Sequence, residues 1–373
     1  MPIAPLAAAI ELAPTIAARA ADTEAQRRLP AELAAQIADA GLFRMAVPRR
    51  LGGAEASPAE ILAALEILSA ADAATGWCTM IAGTTALAAA WLPDAHAEAI
   101  FADPRAITGG VFAPMGKAVP DGDDYLVSGR WAWASGSANC QWLIGGAMIA
   151  DTGIHRMMFM PAADVTLIDT WDTLGMRGTG SGDMAATDVR VPQDRSVSFL
   201  TDTPRHKGPL YAFPPFGLLA LGIAAVASGN ALAALADFRA LAVAKKAGGS
   251  ARTLAERGTV QSDYAKAEAS LHAARALSEV TVARAWHEAQ TGSITLDIRA
   301  RLRLAATHLT RTAADVTRIA YDLAGGTAVY ASHPLQRRLR DAHVATQHMM
   351  IAPPTYELAG RVLLGLPTAA AAL

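Results

Sequence analysis

Residues 129–142 read Gly129-Arg130-Trp131-Ala132-Trp133-Ala134-Ser135-Gly136-Ser137-Ala138-Asn139-Cys140-Gln141-Trp142, and they lie inside the one part of the chain that does not look helical. The stretch is rich in tryptophan and follows Tyr125-Leu126-Val127, with a turn at Asp121-Gly122-Asp123-Asp124 just before it. Short apolar runs bounded by Gly and Asp are strand signals. If the strand continues, its alternation sends Trp131, Trp133 and Ser135 to one face. Such a face suits two purposes: it can pack a sheet, or it can form an aromatic wall, ending in a hydroxyl and a glycine, for a flat heteroaromatic ligand.

Working outward, Met157-Met158-Phe159-Met160, Val165 to Trp171 and Met184 to Val191 add further strands before Pro192. Upstream, from residue 3 to about 102, apolar residues recur at helical spacing in Leu33, Ile37 and Leu42 and again in Ile61, Leu65 and Leu68. Ser57-Pro58-Ala59-Glu60 has the signature of a helix start, with Ser57 as the cap and Pro58 at the first helical position. Downstream of Pro214-Pro215 the helical pattern returns as a four-helix block, punctuated at Gly248-Gly249, Thr291-Gly292-Ser293 and Gly325-Gly326. The Ala-rich tail after Pro367 is expected to fray. The chain therefore divides into a helical part (1–104), a β part (105–208) and a helical bundle (209–373).

Composition narrows the function classes. Of 373 residues 52% are apolar, alanine alone is close to a quarter, and only 6% are aromatic. Alanine is the strongest helix former, so a mainly α protein follows. With 32 basic against 34 acidic side chains and no dense basic tract, nucleic acid is not an expected partner. The uncharged stretches 73–93 and 208–236 are long enough to cross a membrane, but their Thr, Pro, Ser and Asn content suits buried core helices instead. Cys78 and Cys140 form neither a CxxC nor a His-linked cluster, so no disulfide framework or metal is expected. The N-terminus carries no export signal, and a reducing cytoplasm fits.

Familiar catalytic signatures are absent: no GxSxG, no phosphate-binding GxxxxGK[ST], no HExxH and no GxGxxG opening a helix. Gly178-Thr179-Gly180-Ser181-Gly182 looks like a phosphate loop but lacks the Lys and precedes a strand, so a flexible connection is the expectation. Arg177 beside it would serve a ligand phosphate or a surface carboxylate. Arg337, Arg338 and Arg340 suit salt bridges at a helix or subunit boundary, and His343 and His348 follow them.

A set of short motifs in order then gives the chain a family resemblance. They are Val47-Pro48 with Leu51-Gly52-Gly53, Ala71-Asp72 to Trp77, and Ser128-Gly129-Arg130-Trp131 to Ser135-Gly136. Leu174-Gly175-Met176-Arg177-Gly178-Thr179-Gly180-Ser181, Asp188-Val189 to Val191-Pro192, and Pro334-Leu335-Gln336-Arg337 to Arg340-Asp341-Ala342 complete it. The chain resembles the acyl-CoA dehydrogenase fold superfamily, in the flavin-dependent monooxygenase branch typified by p-hydroxyphenylacetate hydroxylase.

That resemblance implies an N-terminal helical domain, a central small β-barrel domain, a C-terminal four-helix bundle and a homotetramer. It implies flavin between the β domain and the bundle, with Ser135 bonding near N5 and Trp133 on the ring. Phe112, Gly136, Trp171, Arg177, Arg252, Gly325 and Gly326 complete the implied cofactor-binding set. Phe112 belongs to a loop, Phe112 to Ala118, that departs from the dehydrogenase pattern, and Asp322 replaces the Gln expected before the Gly pair; FAD is slightly preferred over FMN.

A dehydrogenase of this family needs a carboxylate to remove a proton α to a thioester. The two positions where the family places it read Phe216-Gly217-Leu218-Leu219 and His348-Met349 here, and neither holds an acid. The branch of oxygenase components needs instead a dry pocket in which reduced flavin and dioxygen form a C4a-hydroperoxide. The implied activity is hydroxylation of a small aromatic or indolic substrate, with flavin delivered by an NAD(P)H-dependent flavin reductase. His348 and Ser135 are the implied catalytic pair, and His343 is the alternative histidine. A dehydrogenase with a non-standard base and a silent assembly protein are the rival readings.

Overall fold

The structure, a computed structural model, describes residues 4–246, 249–369 and 373. Five helices come first: α1 (Pro5–Gln26), α2 (Ala31–Asp39), α3 (Pro58–Ala71), α4 (Ala73–Ala86) and α5 (Asp94–Phe101). Seven strands follow: β1 (Thr108–Asp121), β2 (Asp124–Trp131), β3 (Trp142–Ile149), β4 (His155–Pro161), β5 (Thr166–Ile168), β6 (Asp183–Pro192) and β7 (Ser196–Val197). The chain closes with α6 (Pro209–Ala212), α7 (Pro215–Ala244), α8 (Gly258–Thr291), α9 (Leu296–Ala324), α10 (Pro334–Ala345) and α11 (Pro354–Leu363). Helical, β and helical segments thus follow in the expected order. The tail positions 370–372 and Gly248 lie outside the described residues.

The helix starts are chemically determined. Ser57 and Glu60 form a full capping box: Ser57 Oγ accepts from Glu60 N, and the Glu60 carboxylate accepts from Ser57 N. One such cap stabilises by about 1 kcal/mol. Asp72 caps α4 by accepting from the Thr75 amide at 2.8 Å and the Thr75 hydroxyl at 2.7 Å.

The apolar stretch 208–236 forms α6 and most of α7, and α7 is buried in the fold. It packs on α3 and α4 on one side and on α9 and α10 on the other, which is why it is apolar all round rather than along one stripe. Gly229 marks how close α3 comes: a Cβ there would lie 2.2 Å from Glu66 O. Residues 73–93 are buried in the same way, as α4 and the turn after it.

The sheet order is β5-β6-β2-β1-β3-β4-β7, with β1 and β3 parallel and the other pairs antiparallel. β4 and β6 also touch, so the sheet curls into a barrel-like body whose edges β5 and β7 stay unpaired with each other. Its centre is Trp131, fully buried, with the indole N–H donating to Gly146 O at 2.7 Å. Gly116, Gly129 and Gly145 form the slot: a Cβ at any of them would come within 3 Å of the indole ring.

Candidate active site

Trp131, Trp133 and Ser135 do not share a face, which corrects the strand-alternation expectation. β2 ends at Trp131, and Trp133 takes the left-handed backbone conformation, φ 68°, that bulky residues rarely adopt. The chain therefore turns: Trp131 fills the sheet core, Trp133 is 63% exposed, and Ser135 is buried. Of the Trp-rich segment, one tryptophan packs the sheet and one stands at the surface.

The Gly-rich segment 178–182 is also not the flexible connection its composition suggests. Gly178 is packed on α1 and α4, where a Cβ would meet Thr23 Cγ2 at 2.5 Å and Ala74 Cβ at 3.0 Å. Its backbone is clamped to the Ser135 segment, with Ala134 N donating to Gly182 O at 2.9 Å and Gly136 N to Thr179 O at 2.8 Å. The clamp sets Ser135 Oγ 2.6 Å from Ser181 Oγ, which is 2.6 Å from Thr179 Oγ1. Thr179 Oγ1 in turn donates to Met176 O at 2.8 Å.

On the other side of Ser135 stands α4. Trp77 Nε1 donates to Ser135 Oγ at 3.1 Å, and the Trp77 ring meets the His348 imidazole edge-on, centroids 5.8 Å apart. His348 follows α10 and caps the next turn, its Nδ1 accepting from Met350 N at 3.2 Å. An Nδ1 that accepts leaves the proton of a neutral ring on Nε2. Burial, assisted by the Arg303 guanidinium, lowers the His348 pKa to about 4, so the ring is neutral at pH 7. His343 is exposed on α10.

The remaining implied residues divide into two groups. Trp171 is half-buried beside the Thr179 end of these hydroxyls, its Nε1 donating to Met176 O at 2.9 Å, and Met176 N donates to the buried Asp341 carboxylate at 2.6 Å. Gly136 faces Cys78, and Arg177 pairs with Asp172 at 3.0 Å, the surface-carboxylate option. Phe112 lies in the irregular part of β1, where the register shifts between Val111 and Gly116. Arg252 sits on an exposed loop with its amide bonded to Ser250 Oγ, and Gly325 and Gly326 are exposed where a Cβ would meet nothing within 4 Å. No hydrogen bond among the described residues ties these last three to the Ser135 group.

One aromatic group escaped sequence reasoning. Phe112 packs edge-on against His155 (4.6 Å) and Phe216 (5.3 Å), while Phe199 bridges Phe216 and Trp91. His155 Nε2 is 2.8 Å from Phe112 O, and burial lowers its pKa. These residues come from five separate segments; the sequence singled out Phe112 and the start of α7 at Phe216, but not the group they form. A cleft of about 560 Å³ lies beyond Trp91, but its Arg156, Asp202, Asp194, Arg205 and Lys207 walls are charged and it contains neither Ser135 nor His348. Arg156 is held there by Asp202 and Ser196.

The arginines of α10 are structural, as their spacing suggests. Arg340 reaches Glu24 of α1 at 2.6 Å and Arg338 reaches Asp237 of α7 at 2.5 Å, while Gly175 lies against the Arg340 backbone. These contacts hold α1, α7 and the Leu174–Met176 segment around the site.

Comparison with known proteins shows the family. The family model for the acyl-CoA dehydrogenase N-terminal domain matches residues 8–97, and that for the C-terminal domain matches residues 221–353. Indole-3-acetate monooxygenase of Pseudomonas putida is 32% identical, over 93% of this chain and 90% of its own. The oxygenase component of FADH(2)-dependent resorcinol hydroxylase from Rhizobium sp. (strain MTP-10005) is 31% identical, also over 93% of this chain and 90% of its own. The crystal structure of the HsaA monooxygenase from M. tuberculosis superposes with a TM-score of 0.93 at 28% identity, covering 99% of each chain. The chain belongs to the acyl-CoA dehydrogenase family and, within it, to the flavin-dependent monooxygenases, as an oxygenase component.

Proposed function

We propose that this oxygenase hydroxylates a small aromatic or indolic substrate with dioxygen and reduced flavin, FAD in preference to FMN, delivered by a separate NAD(P)H-dependent reductase. The observation that carries the reading is the chemistry of the groups that meet at the site. They are a hydroxyl (Ser135), an indole N–H (Trp77) and a neutral imidazole (His348), and the two family positions for a dehydrogenase base, at Phe216–Leu219 and His348–Met349, hold no carboxylate. The similarity to an indole-3-acetate monooxygenase and an FADH(2)-dependent resorcinol hydroxylase supports the substrate class and the choice of FAD.

The residues fit a flavin. Ser135 keeps an unused lone pair at the end of a buried hydroxyl chain, and the exposed Trp133 and the half-buried Phe112 offer aromatic surface. Reduced flavin supplies the electrons that activate dioxygen. Ser135, Gly136, Trp133, Phe112 and Trp171 would hold it. His348, neutral and with its proton on Nε2, would offer that hydrogen-bond donor to a bound oxygen species without bringing charge into the pocket. The aromatic group around Phe112, Phe216 and Phe199 excludes water and accepts a flat substrate. Arg252, Gly325 and Gly326 lie on exposed turns at the ends of the long helices, beside Val329 and Tyr330, which are 62% and 68% exposed. In the homotetramer we propose, those turns are free to reach the flavin of a neighbouring protomer. We place the protein in the cytoplasm.

The test is to supply chemically reduced FAD, air and a panel of phenols and indoles and to quantify hydroxylated product against hydrogen peroxide. Product from at least one aromatic substrate is expected. Reduction of bound flavin by an acyl-CoA thioester, in the presence of an artificial electron acceptor, would instead show a dehydrogenase.

A further inference from the structure

The hydroxyls behind Ser135 form a relay whose direction is determined at its Met176 end. A hydroxyl has one proton to give and can accept from others, an indole N–H can only donate, and a carbonyl can only accept. Met176 O at one end therefore leaves one assignment that satisfies every link, and the Trp77 donor at the other is compatible with it. Thr179 gives its proton to Met176 O (2.8 Å), so it must accept from Ser181 (2.6 Å). Ser181 has then given its proton and must accept from Ser135 (2.6 Å), while Ser135 accepts from Trp77 (3.1 Å). All four side chains are buried, Thr179 and Ser181 almost completely, so water offers no alternative partner.

Ser135 is thus left with its proton committed and a lone pair open. On the reading above, in which Ser135 faces flavin N5, this matters for redox state. N5 of reduced flavin carries a hydrogen and donates, whereas N5 of oxidised flavin accepts. We infer that Thr179 and Ser181 are positioning residues that hold Ser135 as a hydrogen-bond acceptor and thereby select reduced over oxidised flavin. Binding the oxidised form with a bond from Ser135 breaks one link of the chain: either Ser135 turns alone and its bond to Ser181 is lost, or all three hydroxyls turn round and the Thr179 bond to Met176 O is lost. Met176 O keeps the Thr179 amide (3.1 Å) and Trp171 Nε1 (2.9 Å), so reversal is possible but costs one bond. One net hydrogen bond corresponds to about five- to tenfold in affinity. The preference suits an oxygenase that receives its flavin reduced and must release it oxidised.

The experiment measures dissociation constants for oxidised FAD and, anaerobically, for dithionite-reduced FAD in wild type, Thr179→Val, Thr179→Ser, Ser181→Ala and Ser135→Ala, with melting temperatures alongside. Thr179→Val and Ser181→Ala release the Ser135 proton, so oxidised FAD should bind tighter and the oxidised-to-reduced ratio should fall about five- to tenfold. Thr179→Ser keeps the hydroxyl and should keep the wild-type ratio, an outcome that a purely structural role for Thr179 does not require. Ser135→Ala should weaken reduced FAD and abolish the preference. An unchanged ratio in Thr179→Val and Ser181→Ala, with Ser135→Ala still perturbing binding, overturns the relay alone. If Ser135→Ala binds both forms as wild type does, the placement of flavin at Ser135 fails, and the relay fails with it.

Discussion

The Trp77 side chain touches Ser135 and His348 at once, donating its N–H to the Ser135 hydroxyl at 3.1 Å and presenting its ring to the imidazole at 5.8 Å. Two residues more than 200 positions apart thereby become one site, held by a helix from the N-terminal part of the chain. Trp77 is itself fixed by the Asp72 cap at the start of α4 and by the tight α3–α4 approach at Gly76, where a Cβ would lie 1.9 Å from Ser69 Oγ.

His348→Ala removes the Nε2 donor without touching the Ser135 relay. Flavin should still bind, while hydroxylated product per flavin oxidised falls at least about tenfold and hydrogen peroxide rises in its place. Product and peroxide assays on the same sample check this. Unchanged coupling would remove His348 from the chemistry.

Two buried groups should give opposing pH dependences. His348 titrates near 6.5 when unfolded and about 4 when folded, because burial and the Arg303 cation disfavour its charged form. As pH falls through that window the unfolded chain takes up a proton that the folded one refuses, so stability is lost toward low pH. Burial, with Asp72 and Glu24 adding repulsion and Met176 N–H and Arg337 opposing, lifts Asp341 from 3.8 to about 7. Its stabilising share is complete below 3.8 and is lost as pH rises through 7. Melting temperature should therefore rise with pH in Asp341→Asn and fall with pH in His348→Gln across the shared window. Slopes of the same sign in the two variants would contradict the assignment.

Trp131→Ala empties the slot lined by Gly116, Gly129 and Gly145 and leaves Gly146 O without its indole donor. A loss of about 3–5 kcal/mol is expected, read from denaturant unfolding. Trp133→Ala, at an exposed position, should cost far less stability and act mainly on flavin affinity.

Ser57→Ala breaks the capping box of α3. It should cost about 1 kcal/mol in the same unfolding measurement and leave flavin binding unchanged, because the Ser57 side chain bonds to Glu60 alone among the described residues.

The helical–β–helical order was legible because period and punctuation are local properties, and Ser57-Pro58-Ala59-Glu60 became the helix start that its chemistry demands. The family was legible in motifs such as Leu174 to Ser181. What one strand's alternation could not show was the turn at Trp133, since nothing in its residue type foretells a left-handed backbone. The role of Thr179 and Ser181 was hidden for a related reason. Glycines suggested flexibility, but here they allow a close approach to α1 and α4 that only the tertiary structure brings about. The Phe112, Phe199 and Phe216 group was likewise assembled by packing between distant segments.

The most direct test of the oxygenase assignment is a single turnover of the protein with reduced FAD, isotopically labelled dioxygen and an indolic or phenolic substrate, followed by mass spectrometry. The account predicts a hydroxylated product carrying one labelled oxygen atom. Product oxygen derived from water, or no product together with flavin reduction by an acyl-CoA thioester, would contradict it.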